Sequence, residues 1–340
     1  MTSPVRVVIV DDSASMRLAL NRILSADPEI QVVGLAPEPH AARAMIKELN
    51  PDVVTLDVEM PGMDGLSFLE KIMRLRPMPV VMCSTLTARG TEVTIEALRL
   101  GAVDCIAKPS GNAAEIAREA DNLRRTVKVA ARSRVRQSGS LSPARAAAAG
   151  SSFRDVVIAI GASTGGVEAL FSLIAGLPAD CPPVLIVQHM PAGFTAGFAA
   201  RLNSVCAVKV MEAEDGITIE RGTVYIAPGG DRHMTLSPGQ RRIRLRTGDP
   251  VGGHRPSVDV LFNSVAQLGA GAVGVILTGM GADGADGLLA MRNAGARTLG
   301  QNQETCVVYG MPRAAFQLGA VEHQFSLSAM PEAILAACRT

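Results

Sequence analysis

Twice along this chain, short apolar runs of strand length alternate with segments whose apolar residues recur at helical spacing. In the first series the runs are Val7–Val10, Val32-Val33, Val53–Leu56, Val80–Met82 and Val103–Ala107, and a segment such as Met16, Leu20, Ile23 and Leu24 puts its apolar residues on one helical face. Continuous apolar strands are buried on both sides, and strands that alternate with helices pair in parallel. The expectation is α/β throughout. A five-stranded, doubly wound parallel sheet is expected over residues 1–125, and a second α/β domain, with a mostly parallel sheet and helices on both faces, over 153–340. Between them, 126–152 reads as a connector, helical at its start, in which Arg132, Arg134 and Arg136 give way to Ser138-Gly139-Ser140 and Ala146–Ala149 with no apolar period.

Charge and composition exclude several function classes. A formal net charge of +1 gives no electrostatic footprint for nucleic acid. No apolar stretch is long enough for a membrane-spanning helix, and the N-terminus opens directly on a strand pattern, so no membrane insertion is expected and the cytoplasm is the expected compartment. The six cysteines are scattered, without a C-x-x-C pair, as expected of buried small apolar residues in a reducing environment.

The charges that interrupt the first series fall at strand ends. Asp11-Asp12 follows the first run, Asp57 follows the third, and Lys108-Pro109 follows the fifth. Charges at the carboxyl ends of buried strands are costly unless they converge on a ligand. Carboxylates gathered in one crevice call for a hard divalent cation, Mg²⁺ in the usual case, and a lysine beside it suits a phosphoryl oxygen. The pattern reads as an aspartate, Asp57, that accepts a phosphoryl group.

This segment resembles, end to end, the receiver domain of two-component response regulators. The resemblance implies Asp57 as phosphoryl acceptor, with Asp11, Asp12 and the Glu59 backbone carbonyl around Mg²⁺. It also implies Ser84 as the hydroxyl contacting the phosphoryl group and Lys108 as its cationic partner. Met60-Pro61-Gly62-Met63-Asp64-Gly65 fits the family's loop after the acceptor. Where the family often has an aromatic switch residue, three before the lysine, this chain has Cys105, which puts the usual aromatic signalling route in doubt.

In the second series the strand Val156–Ile160 runs into Gly161-Ala162-Ser163-Thr164-Gly165, a G-x-S-x-G elbow that exposes a serine before a helix with Val167, Leu170, Phe171 and Ile174 on one face. Glycine-rich turns with serine also bind phosphate, so the pentapeptide alone leaves both readings open. A serine needs a base, and the strand Val184–Val187 ends in Gln188-His189. A histidine needs an orienting carboxylate, and the strand Val273–Leu277 leads to Asp283. Ser163, His189 and Asp283 form a triad in an order unlike that of α/β-hydrolases, which geometry permits. Backbone amides near Thr164 and Met280 are the expected oxyanion donors. Of the other histidines, His233 and His254 each follow a Gly-Gly pair and either is placed to border the cleft, while His40 and His323 lie elsewhere; His189 is the expected base because it alone ends a strong apolar strand. Gly279–Gly284 also spells G-x-G-x-x-G, with Glu304 beyond it, so dinucleotide binding stands as the alternative.

Gly161–Gly166, Gln188–Pro191, Ala227–Gly230, His254–Asp259, Leu277–Gly281 and Tyr309–Pro312 together resemble the chemotaxis protein-glutamate methylesterase family. With the receiver in front, the resemblance covers almost the whole chain. It implies hydrolysis of glutamate γ-methyl esters, and deamidation of selected glutamines, on the cytoplasmic domains of methyl-accepting chemoreceptors. It also implies phosphorylation by the chemotaxis histidine kinase. No cofactor is expected in the second domain. Separately, a hinge between a phosphorylatable switch and a second domain suggests regulation by rearrangement, with the receiver across the catalytic cleft until Asp57 is phosphorylated. An adaptor that only binds receptors, and a receiver joined to a DNA-binding output, are the other readings kept.

Overall fold

The computed structural model describes residues 3–60, 64–84, 87–109, 113–133, 153–237, 239 and 241–339. The chain divides into two compact units, Met1–Gly139 and Ser140–Thr340. Residues 126–131 of the expected connector belong to a helix, while 134–152 lie outside the described residues, as do Pro61, Gly62 and Met63 of the loop after Asp57.

In the first unit, strands β1 (Val5–Val10), β2 (Ile30–Ala36), β3 (Val53–Asp57), β4 (Val80–Ser84) and β5 (Asp104–Ala107) alternate with helices α1 (Ala14–Ser25), α2 (Pro39–Leu49), α3 (Gly65–Leu75), α4 (Ala88–Arg99) and α5 (Ala113–Ala131). The sheet order is β2-β1-β3-β4-β5, with every pairing parallel, as expected. Val7, Val8, Val53 and Val54 are fully buried on successive positions, so both sheet faces are covered. Polar residues set where the helices begin. Ser13 Oγ accepts the Met16 N–H at 3.3 Å to open α1, and the Asp64 carboxylate accepts the Ser67 N–H at 2.7 Å to open α3. From β1 the chain passes to β2 on one side and β3 lies on the other. The carboxyl ends of β1 and β3 therefore flank the crevice where strand order reverses.

The second unit carries β6 (Val157–Ala162), α6 (Gly166–Ala175), β7 (Val184–Gln188), α7 (Phe194–Val205), β8 (Lys209–Glu212), β9 (Thr223–Ile226), β10 (Arg232–Ser237) and β11 (Arg242–Thr247). These are followed by α8 (Val258–Ala266), β12 (Ala272–Ile276), α9 (Ala285–Asn293), β13 (Arg297–Gln301), α10 (Met311–Gln317), β14 (His323–Phe325) and α11 (Met330–Ala337). Seven strands form a parallel sheet in the order β14-β13-β12-β6-β7-β9-β8, while β10 and β11 make a separate antiparallel ribbon. Along β6, Val157 and Ala159 join a core with Leu185, Val187, Phe262, Leu288 and Met291 from β7, α8 and α9. Ile158 and Ile160, equally buried, point to the opposite face. The central strand β6 has β7 on one side and β12 on the other, so this sheet also reverses its order at β6.

Candidate active site and candidate phosphoryl-acceptor site

The register of the second sheet brings the three sequence-derived residues to one edge. Ala162 of β6 pairs with Gln188 of β7, which makes Ser163 and His189 the next residues on neighbouring strands. On the other flank the Ser163 N–H donates to the Thr278 carbonyl at 3.0 Å, at the end of β12. His189 and Asp283 then meet from opposite sides of β6: His189 Nε2 lies 2.8 Å from Asp283 Oδ2. His189 Nδ1 is buried and makes no hydrogen bond among the described residues, and Ser163 Oγ is not bonded to it. Ser163 itself is half-exposed, open to an incoming group.

Asp283 is held on every side. It also accepts from Ser257 Oγ at 2.7 Å, the Val258 N–H at 2.8 Å and the Asp259 N–H at 3.1 Å, all at the N-terminus of α8. Burial acts to raise its pKa, but the His189 contact and these donors prevail and hold the carboxyl well below the usual carboxylate range. A helix N-terminus favours negative charge for the same reason. An ionised carboxylate only accepts, so the proton of this pair sits on His189 Nε2, and Nδ1 is left as the basic nitrogen.

A second layer keeps the strand ends together. The buried Gln188 side chain donates through Nε2 to the carbonyls of Ser163 (2.9 Å) and His189 (3.1 Å), tying the two strand ends together. Thr278 Oγ1 donates to the Thr164 carbonyl at 3.0 Å, and the Thr278 N–H is taken by Gln301 Oε1 at 2.8 Å. Gly279 lets the loop after β12 come this close: a Cβ there would lie 2.8 Å from the Ser163 Cβ and 2.2 Å from Met311 Sδ. The carbonyl of Gly279 accepts from the Gly310 and Met311 N–H groups, which gives the Tyr309–Pro312 motif its place beside the site.

Both histidines that follow Gly-Gly pairs are part of this neighbourhood. His233 donates through Nε2 to the Asp249 carbonyl at 2.9 Å and accepts the Ser257 N–H on Nδ1 at 3.2 Å. His254 lies against His189. The roles of Gln188, Ser257, Thr278 and Gln301 were not read from the sequence. Gln188, Ser257 and Thr278 lie inside three of the motifs, Gln188–Pro191, His254–Asp259 and Leu277–Gly281, whereas Gln301 lies in none of them. The Gly279–Gly284 run does sit between a strand and a helix, the context of a dinucleotide fingerprint. Its Asp283 carboxylate is turned to His189, however, and Gly279 approaches Ser163. A carboxylate at that helix start repels a pyrophosphate. All six cysteines are unpaired, and burial pushes the thiol of Cys306, beside Gln301, up to about 12.

In the first unit, Asp11, Asp12 and Asp57 offer carboxylate oxygens within 4.8 Å of one another. Lys108 Nζ lies 2.9 Å from Asp11 Oδ2 and 2.7 Å from Asp57 Oδ2. Apart from that cation, neither of these buried oxygens has a hydrogen-bond partner among the described residues, and Asp57 Oδ1 takes only the Glu59 N–H at 3.2 Å. Burial pushes the Asp57 pKa up, with Lys108 opposing it. Lys108 is shifted up in turn, burial being outweighed by its two carboxylate partners. Buried oxygen ligands short of donors fit a hard divalent cation such as Mg²⁺. Ser84 is buried at the end of β4, and its carbonyl accepts the Lys108 N–H at 2.9 Å. Cys105 is buried in β5, and its thiol is pushed well above its ordinary value by burial.

Two family models match separate stretches of the chain. Residues 158–334 match the family model described as CheB methylesterase, and residues 7–120 match the response regulator receiver domain. The chain is 58% identical over 335 residues to protein-glutamate methylesterase/protein-glutamine glutaminase 1 of Caulobacter vibrioides, covering 97% of both chains. It is 56% identical over 342 residues to the protein-glutamate methylesterase/protein-glutamine glutaminase of Rhizobium etli, covering 98% of this chain and 97% of that one. Among solved structures, the Thermotoga maritima CheB methylesterase catalytic domain aligns with a TM-score of 0.52 at 36% identity, covering 54% of this chain and 98% of that one.

Proposed function

The chain belongs to the CheB methylesterase family and carries a response regulator receiver domain, and from that premise we propose that Ser163, His189 and Asp283 are its catalytic triad. The protein is a phosphorylation-regulated protein-glutamate methylesterase and protein-glutamine glutaminase that demethylates chemoreceptors during chemotactic adaptation. The observation that carries the triad reading is the 2.8 Å contact between His189 and Asp283 across the end of the strand that bears Ser163.

In this reading the Ser163 hydroxyl oxygen attacks the γ-carbonyl carbon of a methylated glutamate, and its proton passes to His189 Nδ1. Nε2 stays bonded to Asp283, which keeps the ring oriented and stabilises the imidazolium. The carbonyl oxygen becomes an oxyanion facing the backbone amides near Thr164 and Met280, each donor worth on the order of 3 kcal/mol in such sites. Collapse breaks the bond to the methoxy group, which leaves as methanol with the proton from Nδ1. With a glutamine substrate the leaving group is ammonia. Water then attacks the acyl-serine, losing a proton to Nδ1; the bond to Ser163 Oγ breaks as Nδ1 returns that proton to the oxygen, and the glutamate departs. Ser163→Ala should reduce methanol release from a methylated receptor fragment to background, and normal turnover by that variant would overturn the assignment.

We also propose Asp57 as the phosphorylated residue, with Ser84 and Lys108 contacting the phosphoryl group. The chemotaxis histidine kinase is the proposed donor, and the cytoplasm, where receptor signalling domains lie, the proposed compartment. Asp11, Asp12, Asp57 and the Glu59 carbonyl would hold Mg²⁺. When bound, it neutralises the carboxylates and the charge on the phosphoryl oxygens. No helix among the described residues is long and apolar enough to cross a membrane.

A further inference from the structure

The rings of His189 and His254 lie face to face, with centroids 3.9 Å apart and planes within 5° of each other. His254 reaches that position through a tight turn. The Val251 N–H donates to the His254 carbonyl at 3.1 Å, and the His254 N–H donates back at 3.0 Å. Between them Gly252 and Gly253 have φ of +58° and +83°, the left-handed conformation that both central positions of such a turn demand. A Cβ on either glycine would meet nothing within 4 Å, so backbone conformation and not crowding accounts for them. Arg255 anchors the next step, its Nε donating to the Gly230 carbonyl at 3.0 Å and its Nη1 to the Gly248 carbonyl at 2.6 Å. The chain then supplies Ser257, Val258 and Asp259 to Asp283. One continuous stretch, Val251 to Asp259, therefore touches the imidazole with its first half and the carboxylate with its second.

We propose that His254 is a positioning residue for the esterase reaction, fixing the plane of the His189 ring so that Nδ1 faces the Ser163 hydroxyl. This rests on the triad reading above. A single hydrogen bond, Nε2 to Asp283 at 2.8 Å, leaves an imidazole free to swing about the bond. Nδ1 has no partner among the described residues to stop that motion. A flat ring pressed against the imidazole face removes the swing before substrate arrives, and pre-ordering of this kind acts on the chemical step and not on substrate binding. Flatness, not the imidazole chemistry of His254, is what the role requires.

The test is steady-state methanol release from a methylated receptor fragment by the full chain with Mg²⁺ and a small-molecule phosphodonor, comparing wild type with His254→Phe, His254→Leu and His254→Ala. Melting curves accompany each variant, and Ser163→Ala is run alongside. Leucine matches the bulk without the flat face, so it carries the comparison with phenylalanine if the alanine variant does not fold. The expected result is kcat lowered about ten- to a hundredfold in His254→Leu and His254→Ala with KM within about twofold, and most of kcat restored in His254→Phe. Wild-type kcat in His254→Leu, a phenylalanine variant no better than leucine, or a loss confined to KM would overturn the positioning role. If those results come with Ser163→Ala at background, the triad stands and only His254 loses its part. Normal turnover by Ser163→Ala would instead remove the triad itself.

Discussion

Asp283 accepts hydrogen bonds from His189, Ser257 and the amides of Val258 and Asp259, and its carboxyl is held ionised against a burial penalty. Its folded pKa lies below the ordinary 3.8, so the folded state binds fewer protons here than the unfolded chain. The stability it contributes is complete above that ordinary value and is lost as pH falls through the depressed one. In Asp283→Asn the unfolding free energy should therefore drop relative to wild type at neutral pH. The gap should narrow on acidification below about pH 4 in chemical denaturation at several pH values. Because an asparagine cannot hold the proton on Nε2 in the same way, kcat for methanol release should fall by about a thousandfold or more. Asp57 has the opposite sign. Burial raises its pKa, so its ionisation opposes folding as pH rises through the raised value. Asp57→Asn should raise the melting temperature at neutral pH without Mg²⁺, abolish stimulation by phosphodonor, and remove most of the stabilisation that Mg²⁺ gives the wild-type chain.

The turn from Val251 and the first turn of α8 work as one element, because Ser257 both caps the helix and bonds the carboxylate. Ser257→Ala removes a cap worth about 1 kcal/mol and one of the donors that orient Asp283. The expected outcome is destabilisation of about 1–2 kcal/mol by denaturant titration, with kcat lowered roughly tenfold and KM little changed. At this scale the sequence was legible where strands are buried on both faces. β1, β3, β6, β7 and β12 are continuous apolar runs and ended close to where they were read. It was not legible from β8 to β11. β8 and β9 are four residues each, and β11 alternates Arg242, Arg244 and Arg246 with Ile243 and Leu245, half of a ribbon outside the main sheet. Such short or two-faced strands lack the unbroken apolar signal that marks a central one.

For the whole molecule, the expectation that the receiver restrains the catalytic unit has a direct measurement. A fragment of residues 152–340 should release methanol faster than the unphosphorylated full chain, and phosphodonor with Mg²⁺ should close most of that difference. Equal rates would remove the restraint. What the amino-acid sequence determined by itself was the succession of buried central strands along the chain and the identity of the groups at their carboxyl ends, because apolar runs and the charges that interrupt them are local properties. Asp11, Asp57, Lys108, Ser163 and His189 were all readable in that way. Tertiary structure alone decided which nitrogen of His189 meets Asp283, that a helix start from another part of the chain holds that carboxylate, and that His254 lies on the imidazole. These are contacts between residues far apart in the chain, and they exist only once the seven-stranded sheet has reversed its strand order at β6 and brought separate loops over that central strand.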